Sequence, residues 1–484
     1  MQPAAPSSGH TPVAPWTAVL LLVAFLLQLW QQAPFDGDTA YHLAVARLMR
    51  EHGLLRSFPW TPWSWLADHY ADKELLFHVL LMPVAGLSLP AAAKVAGTVL
   101  GTLLLLAPFL LLRAEGISGP GLWALLPLAS SGAFLVRASV VRPHLLAVPL
   151  ALFCLWAAAR RRPVPLFVAA ALYPFCHVGW HSVLILVGLV QAARALSGRR
   201  PEVRPLVVAI AGLLAGLLLH PHFPDNLRLA WIQNVEVLRA AWGGGEGLDL
   251  GGELRPLSLA SALRYLTVPL ALTAVAVAGS WKRRRADFLP LAFALTALCY
   301  AALTLRSARF LEYLAPFSVV AAALGLSDRA GPRLRAALLV AATAFTALFG
   351  RPVMKRVLAR QDLFPAAVAT RVREEIPAGA HVFTCDWRQT GQMMLALPDR
   401  SFLVALDPIF FRHKDPRRYR LWVDTVRHPP PLPARIVREQ FNARYVLCDR
   451  SLAWQPLFEA LHRDPAARPL PLPWPWAGFD VGPR

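Results

Sequence analysis

Residues Thr17 to Trp30 read TAVLLLVAFLLQLW, and shortly after them comes Phe35-Asp36-Gly37-Asp38-Thr39-Ala40-Tyr41-His42. The first run carries no charge. The second sets two carboxylates at i and i+2, where both can reach one hydroxyl or one divalent cation. An apolar helix followed at once by paired acids decides how the rest of the chain is read. A cleaved signal peptide is the other reading of the first run. It fits less well, because no Lys or Arg precedes the run and no small-residue cleavage site follows it before Asp36. The run is therefore expected to be a retained first helix.

Working outward, further apolar blocks cover roughly 95–112, 119–136, 144–159, 164–176, 182–193, 205–219, 259–280, 288–305, 310–326 and 334–350. A span needs about 20 such residues, and the shorter blocks would be completed by tilt or flanking residues. Eleven spans are expected. Leu75 to Leu89 is too short for one and suits an interfacial or re-entrant helix. Of the 484 residues, 56% are hydrophobic and 16% charged, against about 25% charged in soluble domains. That excludes an ordinary soluble enzyme and a disordered chain.

The net charge of +20 would suggest nucleic acid if it lay on a soluble surface. Its distribution argues for topology instead. With the N-terminus cytoplasmic, the inward loops hold 15 basic residues, Arg160 to Arg162 and Lys282 to Arg285 among them, against four acidic ones. That is the positive-inside pattern. It places an inner (plasma) membrane protein in contact with anionic lipids, with no nucleic-acid partner. Residues 33–93 become the first outer loop, and 1–350 the membrane domain.

Residues 351–484 hold 21 basic and 13 acidic residues and no spanning block. Predicted strands at His381–Cys385, Ser401–Leu406 and Arg444–Cys448 alternate with helices at 390–397, 416–426, 434–441 and 454–462. This suggests a small extracytoplasmic (periplasmic) α/β domain with parallel strands. The Pro- and Trp-rich 469–475 is expected to be irregular. Cys385 and Cys448 each end a strand; two free thiols or a disulfide are both open, the first being favoured.

Five polar groups stand at the outer ends of spans, where ionisable residues are costly and usually functional. The first is Asp36, Asp38 and His42, with Asp38 alternatively an N-cap of a helix from Thr39. The second is Asp68-His69-Tyr70-Ala71-Asp72-Lys73-Glu74, in which Glu74 and His78 are i, i+4. It follows Trp60, Trp63 and Trp65, read as interfacial. The third is Arg137 and Arg142-Pro143-His144, where Arg142 suits a phosphate or a snorkelling interfacial role. The fourth is His177 and His181, i, i+4 and so on one face of a helix, suited to a structural hydrogen bond, to substrate contact or to ligating a metal. The fifth is Arg306 and Arg309, i, i+3, suited to a phosphate clamp or to an ion pair with Glu312.

This pattern resembles the GT-C superfamily of membrane glycosyltransferases. The resemblance rests on Asp36-Gly37-Asp38 after span 1, the helix over 39–53, Lys73-Glu74 before the 75–89 stretch, Arg142-Pro143, His177 to His181, Arg306 to Arg309, and Val382-Phe383 to Asp386-Trp387 with Gly391. Its nearer likeness is to the bacterial protein-mannosyltransferase-like (family 39-like) group with an outer C-terminal domain. It implies a polytopic GT-C-like helical fold of about eleven spans. It also implies inverting transfer of a hexosyl or pentosyl group from a polyprenyl-phosphate donor to an extracytoplasmic lipid, glycan or protein. Asp36 would be the general base or hold a divalent cation, with Asp38 as its partner. Arg142, Arg306 and Arg309 would hold the donor phosphate, and His42, Lys73, Glu74, His144, His177 and His181 would line the substrate site. One departure is plain: several relatives carry an acid in the second outer loop, and 137–144 contains none. Two rivals stand beside this reading: a transporter of lipid-linked intermediates, and a non-catalytic protein displaying its outer domain.

Overall fold

A computed structural model describes residues 11–30, 36–242, 251–326, 330–358, 364–405 and 407–482; Phe35, Asp328, Arg329 and Leu406 lie outside them. The chain forms two compact units. One comprises Met1–Gln32, Ala93–His220 and Gly251–Ala359; the other comprises Ala33–Ala92, Pro221–Leu250 and Arg360–Arg484.

The first unit is helical because its sequence is Leu, Ala and Val with few breakers. Each of the eleven apolar blocks is a helix or a bent helix pair. Four meet the length and composition of a span: Leu89–Ala114, Leu289–Arg306, Ala308–Leu326 and Pro332–Phe349. Two bent pairs raise the number to six: Pro120–Ser130 with Gly132–Ala138, at 106°, and Leu259–Tyr265 with Thr267–Arg283, at 64°. The first bend sits at Ser131, whose backbone is extended and whose hydroxyl accepts from Phe134 N. The remaining blocks of this unit are helices of 10–17 residues, the short ones for which tilt was invoked. Small residues let helices meet closely: a Cβ at Gly216 would stand 2.2 Å from the Ala171 carbonyl oxygen. Leu22, Val207, Leu218 and Val340 are more than half exposed, as lipid-facing positions must be. By length and composition, four to six of these helices can cross a membrane.

The second unit holds a five-stranded mixed sheet, ordered β2-β1-β3-β5-β4. Its strands are β1 (His381–Thr384), β2 (Ser401–Phe402), β3 (Tyr445–Asp449), β4 (Arg468–Leu470) and β5 (Trp476–Asp480). β2, β1 and β3 run parallel, as the alternation of strands and helices implies. β5 runs antiparallel to both β3 and β4. The Pro-rich tail is therefore not wholly irregular. β4 pairs only with β5, so Pro469 sits on an edge strand, where a missing N–H is tolerated. Phe383, Val446 and Phe479 from the strands and Trp422, Val437 and Phe441 from the helices form one core. Cys385 and Cys448 are joined by a disulfide between the β1 and β3 segments, which corrects the free-thiol expectation: neighbouring parallel strands bring their Cα atoms to 5.4 Å.

The segment after the first helix belongs to this second unit. Trp60 Nε1 donates to Pro398 O at 2.9 Å, Phe402 N donates to Trp60 O at 2.6 Å, and Trp63 Nε1 donates to Phe441 O at 3.2 Å. Trp60 and Trp65 are buried. Trp60 and Trp63, read from sequence as interfacial, also hydrogen-bond to the protein.

Candidate functional site

Each unit carries a cluster of polar side chains that includes the residues singled out from the sequence. In the second unit the cluster is built on two helices, Gly37–His52 and Leu75–Leu81. The first begins earlier than expected. Asp36 is the residue before it, with extended backbone, and Asp38 lies in its first turn, where the helix dipole favours a carboxylate. Asp38 is thus not the cap. Asp36 is 6% exposed and His42, one turn after Asp38, is 4% exposed. Every residue from Thr39 to Ala46 is buried, so a polar face of this helix is held inside.

The Gly37–His52 helix is held against the Thr390–Ala396 helix at very close range. A Cβ on Gly37 would lie 2.2 Å from Arg388 O, and one on Gly391 2.2 Å from Gly37 O. Only glycine permits this approach. It places Trp387 and Arg388 beside Asp38 and Tyr41 around a small pocket.

Asp72 organises the cluster. Its Oδ1 accepts from Glu74 N at 3.0 Å, and its Oδ2 lies 2.7 Å from His78 Nδ1. A carboxylate only accepts, so His78 donates through Nδ1 and turns the lone pair of Nε2 toward His42 Nδ1, 2.9 Å away. His222 donates through Nε2 to Leu55 O at 2.7 Å and accepts from Asp72 N at 3.4 Å. Burial pushes the Asp72 carboxyl up, and His78, the Glu74 N–H and His222 outweigh it, holding it below the usual value. Burial, then Glu74, Asp72 and Asp38, push the Tyr41 phenol well up, so these three acids share one neighbourhood around that ring. Lys73 Nζ stands 3.7 Å from Glu74 Oε1. His42, Glu74 and His78 each offer a ligand atom within 4.8 Å of the others, the one such trio of His, Cys, Asp or Glu among the described residues. Asp36 and Asp38 are not in it.

The first unit carries a cluster of guanidiniums. Arg137 pairs with Glu253 at 2.6 Å and, very closely, with Glu312. Arg142 meets the same Glu253 oxygen at 3.2 Å, and Arg309 approaches its other oxygen at 4.0 Å. Burial raises the Glu253 carboxyl, and Arg137, Arg142 and Arg309 together hold it well below the usual range. His144 donates through Nε2 to Arg137 O at 3.0 Å, leaving Nδ1 3.7 Å from Glu312. Ser307 Oγ donates to Glu253 O at 3.0 Å.

Several expectations change here. Arg142, His144 and Arg309 do meet. Arg306 is exposed at the end of its helix, and among the described residues no side-chain contact joins it to them. The partner of Arg309 is Glu253; Glu312 pairs with Arg137. His177 and His181 do not share a helical face, because one helix ends at Cys176 and the next begins at Ser182. His177 Nδ1 accepts locally from Gly179 N at 2.9 Å, and His181 is exposed. No acid lies within 137–144; the acids that meet Arg137 and Arg142 are Glu253 and Glu312. The sequence names Asp72 within the second polar group without giving it a role of its own, and Glu253 and Arg388 do not stand out in it. A buried role for Asp72 was signalled by its spacing from His78; nothing local marked the other two.

No family of known proteins matches the sequence, and no curated protein does. Solved structures do. ArnT from Cupriavidus metallidurans bound to undecaprenyl phosphate matches at 13% identity and TM-score 0.61, over 98% of this chain and 99% of that one. The archaeal oligosaccharyltransferase AglB from Archaeoglobus fulgidus, in complex with an inhibitory peptide and a dolichol-phosphate, matches at 13% identity and 0.58, over 93% and 71%. The mycobacterial arabinofuranosyltransferase AftD matches at 18% identity and 0.55, over 97% of this chain and 42% of that one. All three are GT-C glycosyltransferases.

This chain has the GT-C fold.

The GT-C fold accounts for the order of its elements: a first apolar helix, a segment with short helices and paired acids, a bundle of apolar helices, and a terminal α/β region. It is the fold that Asp36-Gly37-Asp38 and Lys73-Glu74 suggested from sequence.

Proposed function

We propose that this chain is a membrane glycosyltransferase that moves a sugar from a polyprenyl-phosphate donor to an extracytoplasmic acceptor with inversion. The observation that carries the reading is the convergence of Arg137, Arg142 and Arg309 on one carboxylate. Three guanidiniums around a single anion form the binding chemistry of a phosphate, and Glu253 holds that position here. The GT-C fold supports it, since ArnT and AglB are solved with polyprenyl phosphates of this kind.

In this reaction the acceptor oxygen bonds to the anomeric carbon as the bond from that carbon to the donor phosphate breaks. The electron pair leaves on the phosphate, whose growing charge Arg142 and Arg309 stabilise. The hydroxyl proton passes to Asp36, a carboxylate held in a buried site, with Asp38 as its neighbour. Lys73 and Glu74 orient the acceptor. The basic clusters of the inward loops set the orientation, with the N-terminus cytoplasmic and the 351–484 region outside. The sugar is a hexose or pentose, and the acceptor a lipid, glycan or protein.

The test is transfer of labelled sugar from membrane-extracted polyprenyl-phosphate sugars by the purified protein. Asp36→Asn should lower the rate by about a thousandfold while gel filtration and helical circular dichroism stay as in wild type. Full activity in that variant would overturn the assignment of the base.

A further inference from the structure

We propose that His42, Glu74 and His78 form a binding site for a divalent transition metal of the zinc class, to which Asp36 and Asp38 do not contribute. The site stands on its own geometry and does not rest on the glycosyl-transfer reading.

The three side chains are 4%, 5% and 0% exposed, and one ligand atom from each lies within 4.8 Å of the others. Two imidazole nitrogens and one carboxylate oxygen make up a three-ligand zinc set with a fourth position open. Imidazole donors select zinc-like ions over magnesium or calcium, which prefer all-oxygen shells. The surroundings are those of a metal site. Asp72 Oδ2 accepts from His78 Nδ1 at 2.7 Å, the carboxylate–histidine arrangement that fixes the tautomer and aims the other ring nitrogen at a metal. The His42 ring meets the Phe77 ring edge-on at 5.0 Å, and the His78 ring meets Tyr41 edge-on at 5.9 Å, which limits rotation of both. Asp72 and Glu74 bring two negative charges against the one positive charge of Lys73, so a divalent cation is not repelled.

Without an ion the two rings share a hydrogen at 2.9 Å. Tetrahedral ligands at about 2.1 Å from a metal stand about 3.4 Å apart. Binding therefore parts the rings by about half an ångström, and His42 then carries its one ring proton on Nε2. The ion would tie the Gly37–His52 helix to the Leu75–Leu81 helix.

The experiment uses the full-length, tag-free protein in detergent, stripped with chelator and then offered zinc chloride. Elemental analysis after gel filtration should find one zinc per chain, and zinc should raise Tm by several degrees. His42→Gln keeps a hydrogen-bond partner for His78; it should fold normally, retain no zinc and lose the shift. Wild-type protein that retains no zinc and shows no shift would overturn the proposal and leave the trio as a hydrogen-bonded relay. Equal zinc in His42→Gln would also overturn it, because the ion would then sit elsewhere. Should that variant fail to fold, zinc absorption spectroscopy on the wild type decides. A first shell with two imidazole nitrogens supports the site, and a sulfur or all-oxygen shell refutes it.

Discussion

The two polar clusters are built from opposite materials. The one around Asp72 consists of imidazoles, phenols and carboxylates linked by hydrogen bonds between buried atoms. The one around Glu253 consists of guanidiniums that stay charged at any working pH, balanced by two acids. The first can relocate protons and present lone pairs. The second can only hold an anion. Under the proposed transfer, which deprotonates a hydroxyl and expels a phosphate, the first material suits base chemistry and the second suits leaving-group binding.

The contrast breaks most severely at Arg137. Glu312 is 1% exposed, and Arg137→Ala would leave it charged and unpaired. We expect a loss of about 3–5 kcal/mol, read as a fall in Tm, with Glu312→Gln in the same chain restoring part of it. A small effect would mean that the cluster is wetter than its burial implies.

The hydrogen-bonded cluster should instead show a pH signature. The Asp72 carboxyl is held below its ordinary value in the fold. A group depressed in this way contributes stability above its unfolded pKa and loses it as pH falls through the folded one. The wild type should therefore lose stability below about pH 4. Asp72→Asn should cost about 1–3 kcal/mol at neutral pH and flatten that acid limb. In the guanidinium cluster the Glu253 carboxyl is likewise held low, so Glu253→Gln is the control.

The finest distinction lies among the arginines. Arg142→Ala should weaken binding of a polyprenyl phosphate by about tenfold, one charge-assisted contact, whereas exposed Arg306→Ala should leave it unchanged. Equal effects from both would mean that general positive charge, rather than the convergence on Glu253, attracts the donor.

The legible and illegible parts of the molecule separate by distance along the chain. The eleven apolar blocks were readable because helix formation in a membrane depends on local composition. β1, β3 and four helices of the C-terminal region were readable from short-range alternation. Asp36, Asp38, His42 and Glu74 stand out in the sequence because they are unusual polar residues next to apolar runs. β4 was missed because a proline argues against a strand unless an edge accommodates it, and β5 follows directly on that Pro-rich stretch with no alternation long enough to mark it. The histidines 177 and 181 were misplaced because i, i+4 spacing has meaning only inside a helix, and a turn lies there.

By itself the sequence determined that this is a membrane protein with a GT-C-like order of segments and acids at the end of its first helix. These are properties of runs about 20 residues long or shorter. Only the tertiary structure decided which charges meet. Glu253 joins Arg137 across 116 residues, and His222 joins Asp72 across 150. No local periodicity encodes such pairings, because they depend on how helices pack. Packing, in turn, is set by small residues such as Gly37 and Gly391, whose value lies in what they leave room for.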